Sequence, residues 1–191
     1  MNHPSLPANH LAWLQTLSLS RAAFSFVWVA LAFTVAEGSA PITALLLVVY
    51  PAWDALANLV DAKRSGGIAA HPTQALNAAV SAVATAAMGI AVGRGMSSVF
   101  LVFGAWAVVA GLLQLGTALR RWRHLGAQWP MALSGAQSAL AGAFFMRQAG
   151  GASPRLLDLA GYAAVGALYF AVSAGALLHR RHRLRTSLAG G

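Results

Sequence analysis

One acidic residue, Asp54, lies inside a long apolar stretch, with Asn58 four residues later and Asp61 seven residues later. These spacings put all three side chains on one face of an α-helix. A carboxylate within a membrane-spanning helix costs about 2.5–3.5 kcal/mol, so it must face other helices and be protonated, paired or next to water. Pro51, one turn earlier, predicts a bend beside the acid, which is how transporters build sites for solutes or protons.

Arg21 offers a second interpretation of the same acid. It begins the first apolar stretch on the side of the membrane towards which Asp54 is displaced, and its long side chain can reach inwards. An ion pair between Arg21 and Asp54 would then only fix how the helices pack. The sequence leaves open whether Asp54 is a packing element or part of a transport or proton-relay site.

Two glutamines add to the polar residues of the apolar stretches. Gln137 lies near the middle of the fifth stretch, and Gln114 lies towards the inner end of the fourth. Amides in hydrocarbon form hydrogen bonds between helices, each worth about 0.6–2 kcal/mol, so the plainer interpretation of both is structural. The functional hypothesis is that four candidates for substrate binding or proton relay converge on one polar cavity: Asp54, Asn58, Gln114 and Gln137.

Several kinds of chemistry lack the residues they need. The chain has no cysteine, and this removes disulfides, thiolate metal sites and cysteine nucleophiles. It also has only four acidic residues. His179 and His182 lie one turn apart, but among arginines whose charge opposes a metal cation. No serine at membrane depth has a histidine and an acid to complete a catalytic triad. We therefore expect no enzymatic activity, no cofactor and no metal.

The composition indicates that these residues belong to a membrane protein. Hydrophobic residues make up 58% of the 191 residues and charged residues 9%, against about 45–50% and 25% in soluble domains. A net charge of +9 would suggest nucleic acid in a soluble protein. Here the basic residues cluster beside apolar stretches, so we expect no nucleic acid as partner. The expected partners are the lipid bilayer and anionic lipid headgroups at its cytoplasmic face.

Six apolar stretches have about the length needed to cross a hydrocarbon core of roughly 30 Å. They cover residues 21–36, 41–60, 76–92, 97–119, 128–146 and 156–178. The predicted fold is all-α and polytopic, with six transmembrane helices arranged as three consecutive hairpins. The predicted divisions are a cytoplasmic or interfacial segment (1–19), a transmembrane domain (20–179) and a basic cytoplasmic tail (180–191).

The basic residues also predict the orientation, because Lys and Arg favour cytoplasmic segments. With the N-terminus inside, the inside segments hold Arg21, Lys63, Arg64, Arg120, Arg121, Arg123, Arg180, Arg181, Arg183 and Arg185, and the outside turns hold Arg94, Arg147 and Arg155. This bias predicts a multi-pass protein of the plasma (inner) membrane with both termini cytoplasmic.

Small residues recur at four-residue spacing in the last two stretches, for example Ser134, Ser138 and Gly142, and Ala163, Ala167 and Ala171. Such spacing allows the backbones of neighbouring helices to approach closely. The sequence leaves open whether these contacts lie within one chain or in a homo-oligomer.

Three groups of residues carry a family resemblance: Gly104-Ala105-Trp106, Gly111-Leu112-Leu113-Gln114 and the segment 129–135. With three hairpins of Gly- and Ala-rich helices, the chain resembles a bacterial short-repeat six-helix membrane family of unknown function, which includes the HdeD-like acid-stress membrane proteins. The resemblance covers about residues 21–180. It implies an inner-membrane protein tied to envelope or acid stress, and it supplies no catalytic residues. Asp54 and Asn58 depart from the plain apolar helices of that family.

Two functional classes follow from the sequence. The first, which the low polar content favours, is a structural or envelope-stress-related membrane protein that acts through packing or partner binding. The alternative is a small proton- or solute-coupled transporter or channel that uses Asp54 at the bilayer midplane.

Overall fold

The computed structural model describes residues 8–125, 128–151 and 154–189. These residues form six α-helices and one turn of 3₁₀-helix (Ala36–Gly38), and they include no β-strand. The helices are α1 (Ala8–Thr34), α2 (Ala40–Arg64), α3 (Pro72–Val92), α4 (Met96–Leu125), α5 (Trp129–Gln148) and α6 (Leu156–Ala189). The predicted all-α class is confirmed.

Proline and glycine mark the ends of several helices. A proline occupies the first turn of α2, α3 and α5, where its missing N–H removes no helical hydrogen bond. Gly66 and Gly67, between α2 and α3, have φ angles of 125° and 99°, a region that other residues rarely adopt. Pro51 does not end α2, which continues to Arg64.

The helices form a closed ring in chain order, with α6 packed along α1. The most extensive contacts join α4 with α5, α1 with α6, and α2 with α3, whereas α1–α2 and α5–α6 touch much less. The three consecutive hairpins predicted from the sequence are therefore not confirmed. The tightest pairs are instead α2 with α3 and α4 with α5, whose members belong to different predicted hairpins, and α1 with α6, which brings together the two ends of the chain.

The tightest of these pairs, α4 and α5, is held together at two glycine contacts. A Cβ added to Gly104 would lie 2.6 Å from the carbonyl oxygen of Gly142, and one added to Gly111 would lie 2.7 Å from that of Gly135. On each helix the two glycines are seven residues, or about two turns, apart. The two contacts therefore lie about two turns apart along an antiparallel pair of helices. The close approach expected from the small residues of α5 is thus present within one chain.

Within the described residues, five helices are long and apolar enough to cross a membrane: Leu11–Thr34, Ala40–Arg64, Pro72–Val92, Met96–Trp122 and Leu156–Arg183. Large apolar side chains also cover the outside of the bundle, such as Val83 on α3 and Leu140 on α5, which are 70% and 75% exposed. A surface covered by large apolar side chains is stable in contact with lipid and not in contact with water. These are the features of a multi-pass membrane protein, while a sixth crossing by α5 stays a prediction.

Candidate functional site: a polar cavity ending at a buried ion pair

The acid that the sequence singles out forms an ion pair inside the bundle. Oδ1 of Asp54 lies 3.2 Å from Nη1 of Arg21, and the two side chains are 19% and 9% exposed. Arg21 lies at the middle of α1, about 20 Å from either end of that helix. The sequence indicated this partner but placed it at the membrane edge. The reason is that α1 begins at Ala8, well before the apolar stretch that starts at residue 21.

The second carboxylate oxygen of Asp54 accepts two further hydrogen bonds. Nδ2 of Asn58 donates to it at 2.9 Å, and the hydroxyl of Ser81 donates at 2.8 Å. The indole N–H of Trp106 donates in turn to Oγ of Ser81 at 2.9 Å. Asp54 therefore connects α1, α2, α3 and α4, and its charge is stabilised by donors from three of them.

A polar cavity leads from one end of the bundle towards this ion pair. It opens at the end where α1 begins and α2 ends, and its volume is about 50 Å³. All six helices contribute to its wall, in chain order through Arg21, Asn58, Asn77, Gln114, Met131 and Ser173. The cavity is thus a property of the whole bundle and not of one pair of helices.

A smaller inner chamber continues from the cavity to the carboxylate. Asn77, Gln114 and Phe170 line both spaces, and the inner chamber adds Asp54 and Tyr162. The guanidinium carbon of Arg21 lies 5.3 Å from the centre of the Phe170 ring, a cation–π distance. A small polar molecule that enters the open end therefore meets polar side chains, set among apolar ones, as far as Asp54.

Two residues that line the cavity each have a fully buried polar atom with no hydrogen-bond partner among the described residues. The two atoms are Nε of Arg21, which is a donor, and Oδ1 of Asn77, which is an acceptor. Both residues are more than nine-tenths buried. A buried polar atom left without a partner costs about 1–3 kcal/mol, so each of these side chains would gain from a shift that brings the atom to a partner.

Aromatic rings close the bundle beyond the ion pair. The ring of Phe103 packs against those of Phe145, Trp106 and Tyr162, with centroids 5.9, 5.2 and 5.7 Å apart and planes nearly perpendicular. Phe100 adds a further edge-to-face contact with Phe145 at 5.4 Å, and neither Phe100 nor Phe103 has any exposed surface. This packed layer separates the cavity from the opposite end of the bundle.

A second ion pair stands at the mouth of the cavity. Nη2 of Arg121 lies 3.1 Å from Oδ2 of Asp61, and the indole N–H of Trp13 donates to Oδ1 of Asp61 at 3.2 Å. The guanidinium carbon of Arg64 lies 4.5 Å from the centre of the Trp13 ring. These contacts join α1, α2 and α4 around the entrance.

The predicted site residues have different positions in the structure. Arg21, Asp54, Asn58 and Gln114 reach the cavity or its inner chamber, and Nε2 of Gln114 also donates to the backbone oxygen of Met131 at 3.2 Å. Gln137 lines neither space, and its Oε1 is buried without a partner among the described residues. The four candidates therefore converge only in part.

Sequence reasoning missed Asn77, Ser81 and Trp106. Asn77 and Ser81 are four residues apart, so they share one face of the Ala-rich α3. This is the same signal that drew attention to Asn58, and it was present in the third apolar stretch. Within the described ranges, no three His, Cys, Asp or Glu side chains come together as a metal site.

The fold and this cavity define an α-helical, multi-pass membrane protein with a polar space inside its bundle. No family model, curated protein or solved structure matches the chain.

Proposed function

We propose that this protein is a small-solute carrier of the plasma (inner) membrane, which binds a polar solute in the cavity beside Arg21 and Asp54. One observation carries the proposal: a cavity built by all six helices ends at a buried ion pair near the middle of the bundle. Carriers hold their solute near the bilayer midplane, open to one side and closed to the other. The aromatic layer around Phe103 supplies the closed side.

The cost of the ion pair argues against packing as its only role. Two charges lose their hydration when they are buried in this way, and apolar side chains of similar volume commonly pack as well or better. The competing hypothesis is a structural or envelope-stress-related protein in which Arg21 and Asp54 only fix the helices. A relationship to the HdeD-like proteins would fit that hypothesis and stays a prediction.

The proposal includes six crossings, with α5 as the fifth, and both termini in the cytoplasm. Because Arg21 lies inside the bundle, nine Lys and Arg residues remain at the end where the cavity opens, against three at the other end. The positive-inside bias therefore favours a cavity that opens to the cytoplasm, with anionic lipid headgroups around its mouth.

Single cysteines test the proposal, because the chain has none of its own. Thr117 lines the cavity, whereas Leu112 on the same helix is exposed on the outside of the bundle. A charged, membrane-impermeant thiol reagent should label Thr117→Cys much faster than Leu112→Cys in inside-out vesicles, because only a hydrated thiol forms the reactive thiolate.

Right-side-out vesicles supply the control for sidedness, and there the same reagent should label Thr117→Cys slowly or not at all. Equal and slow labelling of both cysteines in both kinds of vesicle would mean that water does not enter the cavity. That result would contradict the carrier and favour a packing role.

A further inference from the structure

We infer that the solute is a small monocarboxylate, and that it binds together with one proton because it replaces Asp54 as the partner of Arg21. This inference rests on the proposed function and adds the substrate class and the coupling ion. It depends on the charges around the ion pair, on the free donor of Arg21 and on the charge at the mouth of the cavity.

The negative charge of Asp54 is balanced by one positive charge, that of Arg21. Among the described residues that line the inner chamber and the small pocket beside it, Arg21 is the only cation and Asp54 the only acid. The other groups that face Asp54 are neutral at neutral pH: Asn58 and Tyr50 on α2, Ser81 on α3, Trp106 on α4, and Tyr162 on α6. The described residues around this site thus carry one positive and one negative formal charge, and Asp54 occupies the anion position beside Arg21.

A second anion can enter only if Asp54 gives up its charge. With Asp54 ionised, an added carboxylate would leave an uncompensated negative charge inside the bundle. When Asp54 takes a proton from the cavity water, Arg21 is released and the carboxylate of the solute takes its place. The empty site and the loaded site then carry the same net charge, so one proton accompanies each carboxylate.

The geometry of Arg21 suits a carboxylate in particular. Nη1 is occupied by Asp54, while Nε is buried and has no partner among the described residues. A guanidinium presents its N–H groups in a fixed planar fork that matches the two oxygens of a carboxylate. Once Arg21 is released from Asp54 and its side chain turns towards the cavity, Nε and a terminal nitrogen can both donate to a bound carboxylate.

The mouth of the cavity favours the entry of anions. Lys63 and Arg64 end α2, and Arg120 and Arg121 lie near the end of α4 at the same side of the bundle. Asp61 is the acid at this mouth, and it is already paired with Arg121. The remaining positive charge raises the local concentration of anions at the entrance.

Lactate is a suitable probe, because it is small, singly charged at neutral pH and soluble. Purified protein in a weakly buffered detergent solution with a pH indicator should take up about one proton for each lactate bound. The dissociation constant should rise about tenfold for each unit of increasing pH as long as one proton is taken up with each lactate. Asp54→Asn should bind lactate with no proton uptake and no such pH dependence, because the amide imitates the protonated acid.

Asp158→Asn is the matched control. It makes the same change at an acid that pairs with Arg155 at the start of α6, outside the cavity, and it should behave as the wild type does. Arg21→Gln should lose lactate binding. Binding by Asp54→Asn also serves as proof that this variant folds.

The outcomes separate this inference from the proposed function. If lactate fails to slow the labelling of Thr117→Cys but glycerol slows it, the cavity binds solutes and the carboxylate inference is wrong. Lactate binding without proton uptake would contradict the exchange at Arg21. If Thr117→Cys is not labelled at all, the proposed function itself fails.

Discussion

Among single residues, Arg21 and Asp54 and the groups that hold them are the most important for the function proposed for the cavity. Asp54 accepts hydrogen bonds from Asn58 and Ser81 in addition to its ion pair with Arg21. Removing one charge leaves the other buried without a partner, which is far more costly than removing both. The two hypotheses for the pair, packing and solute binding, therefore differ most clearly when both charges are removed together.

The variant Arg21→Leu should lose about 3–5 kcal/mol of stability, because it leaves the Asp54 carboxylate buried and uncompensated. The double variant Arg21→Met/Asp54→Leu should recover most of that loss, since apolar side chains replace a buried pair well. Thermal unfolding in detergent measures both. The double variant should still lose solute binding, and a double variant that binds as the wild type does would show that the pair only packs.

The sequence offered Arg21 as a possible partner for Asp54, because a lone acid in an apolar stretch is expensive unless it is protonated, paired or next to water. It did not predict the depth of Arg21, because residues 8–20 are polar enough to resemble a tail, although Leu11 and Leu14 are buried against Leu177. Asn77 was missed because nothing local distinguishes an amide that lines a cavity from one that bonds a neighbouring helix.

At the scale of elements, the pairing of the helices was the least predictable feature. Every transmembrane helix has a comparable apolar surface, so the sequence alone does not determine which neighbours lie closest. The glycines at positions 104, 111, 135 and 142 do determine one pair, because they meet only when α4 and α5 are antiparallel in one register. The sequence predicted three consecutive hairpins, a different pairing from the one in the structure, because its patterns were not specific enough to choose between neighbours.

Alanine substitutions at two glycines of α4 test this contact. Gly111→Ala would place its methyl group 2.7 Å from backbone atoms of α5, so we expect a loss of stability of at least about 1–3 kcal/mol and weaker solute binding. Gly116→Ala meets nothing within 4 Å and should be neutral or should stabilise the helix by up to about 1 kcal/mol. Melting temperatures of the two variants measure the difference. A similar small change in both would contradict the close packing of α4 on α5.

At the scale of the whole molecule, the cavity is one-sided. Polar side chains from five of the six helices line the end with the basic residues, and aromatic rings fill the bundle beyond the ion pair. A carrier must open that closed end during its cycle, whereas a packing protein keeps it closed. The composition predicted a membrane protein, but this asymmetry depends on how side chains from all six helices meet.

The measurement that tests the carrier most directly is the labelling of Ala91→Cys from the side opposite the cavity mouth. Ala91 is 2% exposed at the closed end of the bundle, within the core that contains Phe100 and Phe103. In right-side-out vesicles, the charged thiol reagent should label this cysteine slowly, and the rate should change when the solute is added, because the closed end opens as the solute crosses. Complete protection of Ala91→Cys with and without solute, while Thr117→Cys is labelled from the cytoplasmic side, would contradict the carrier.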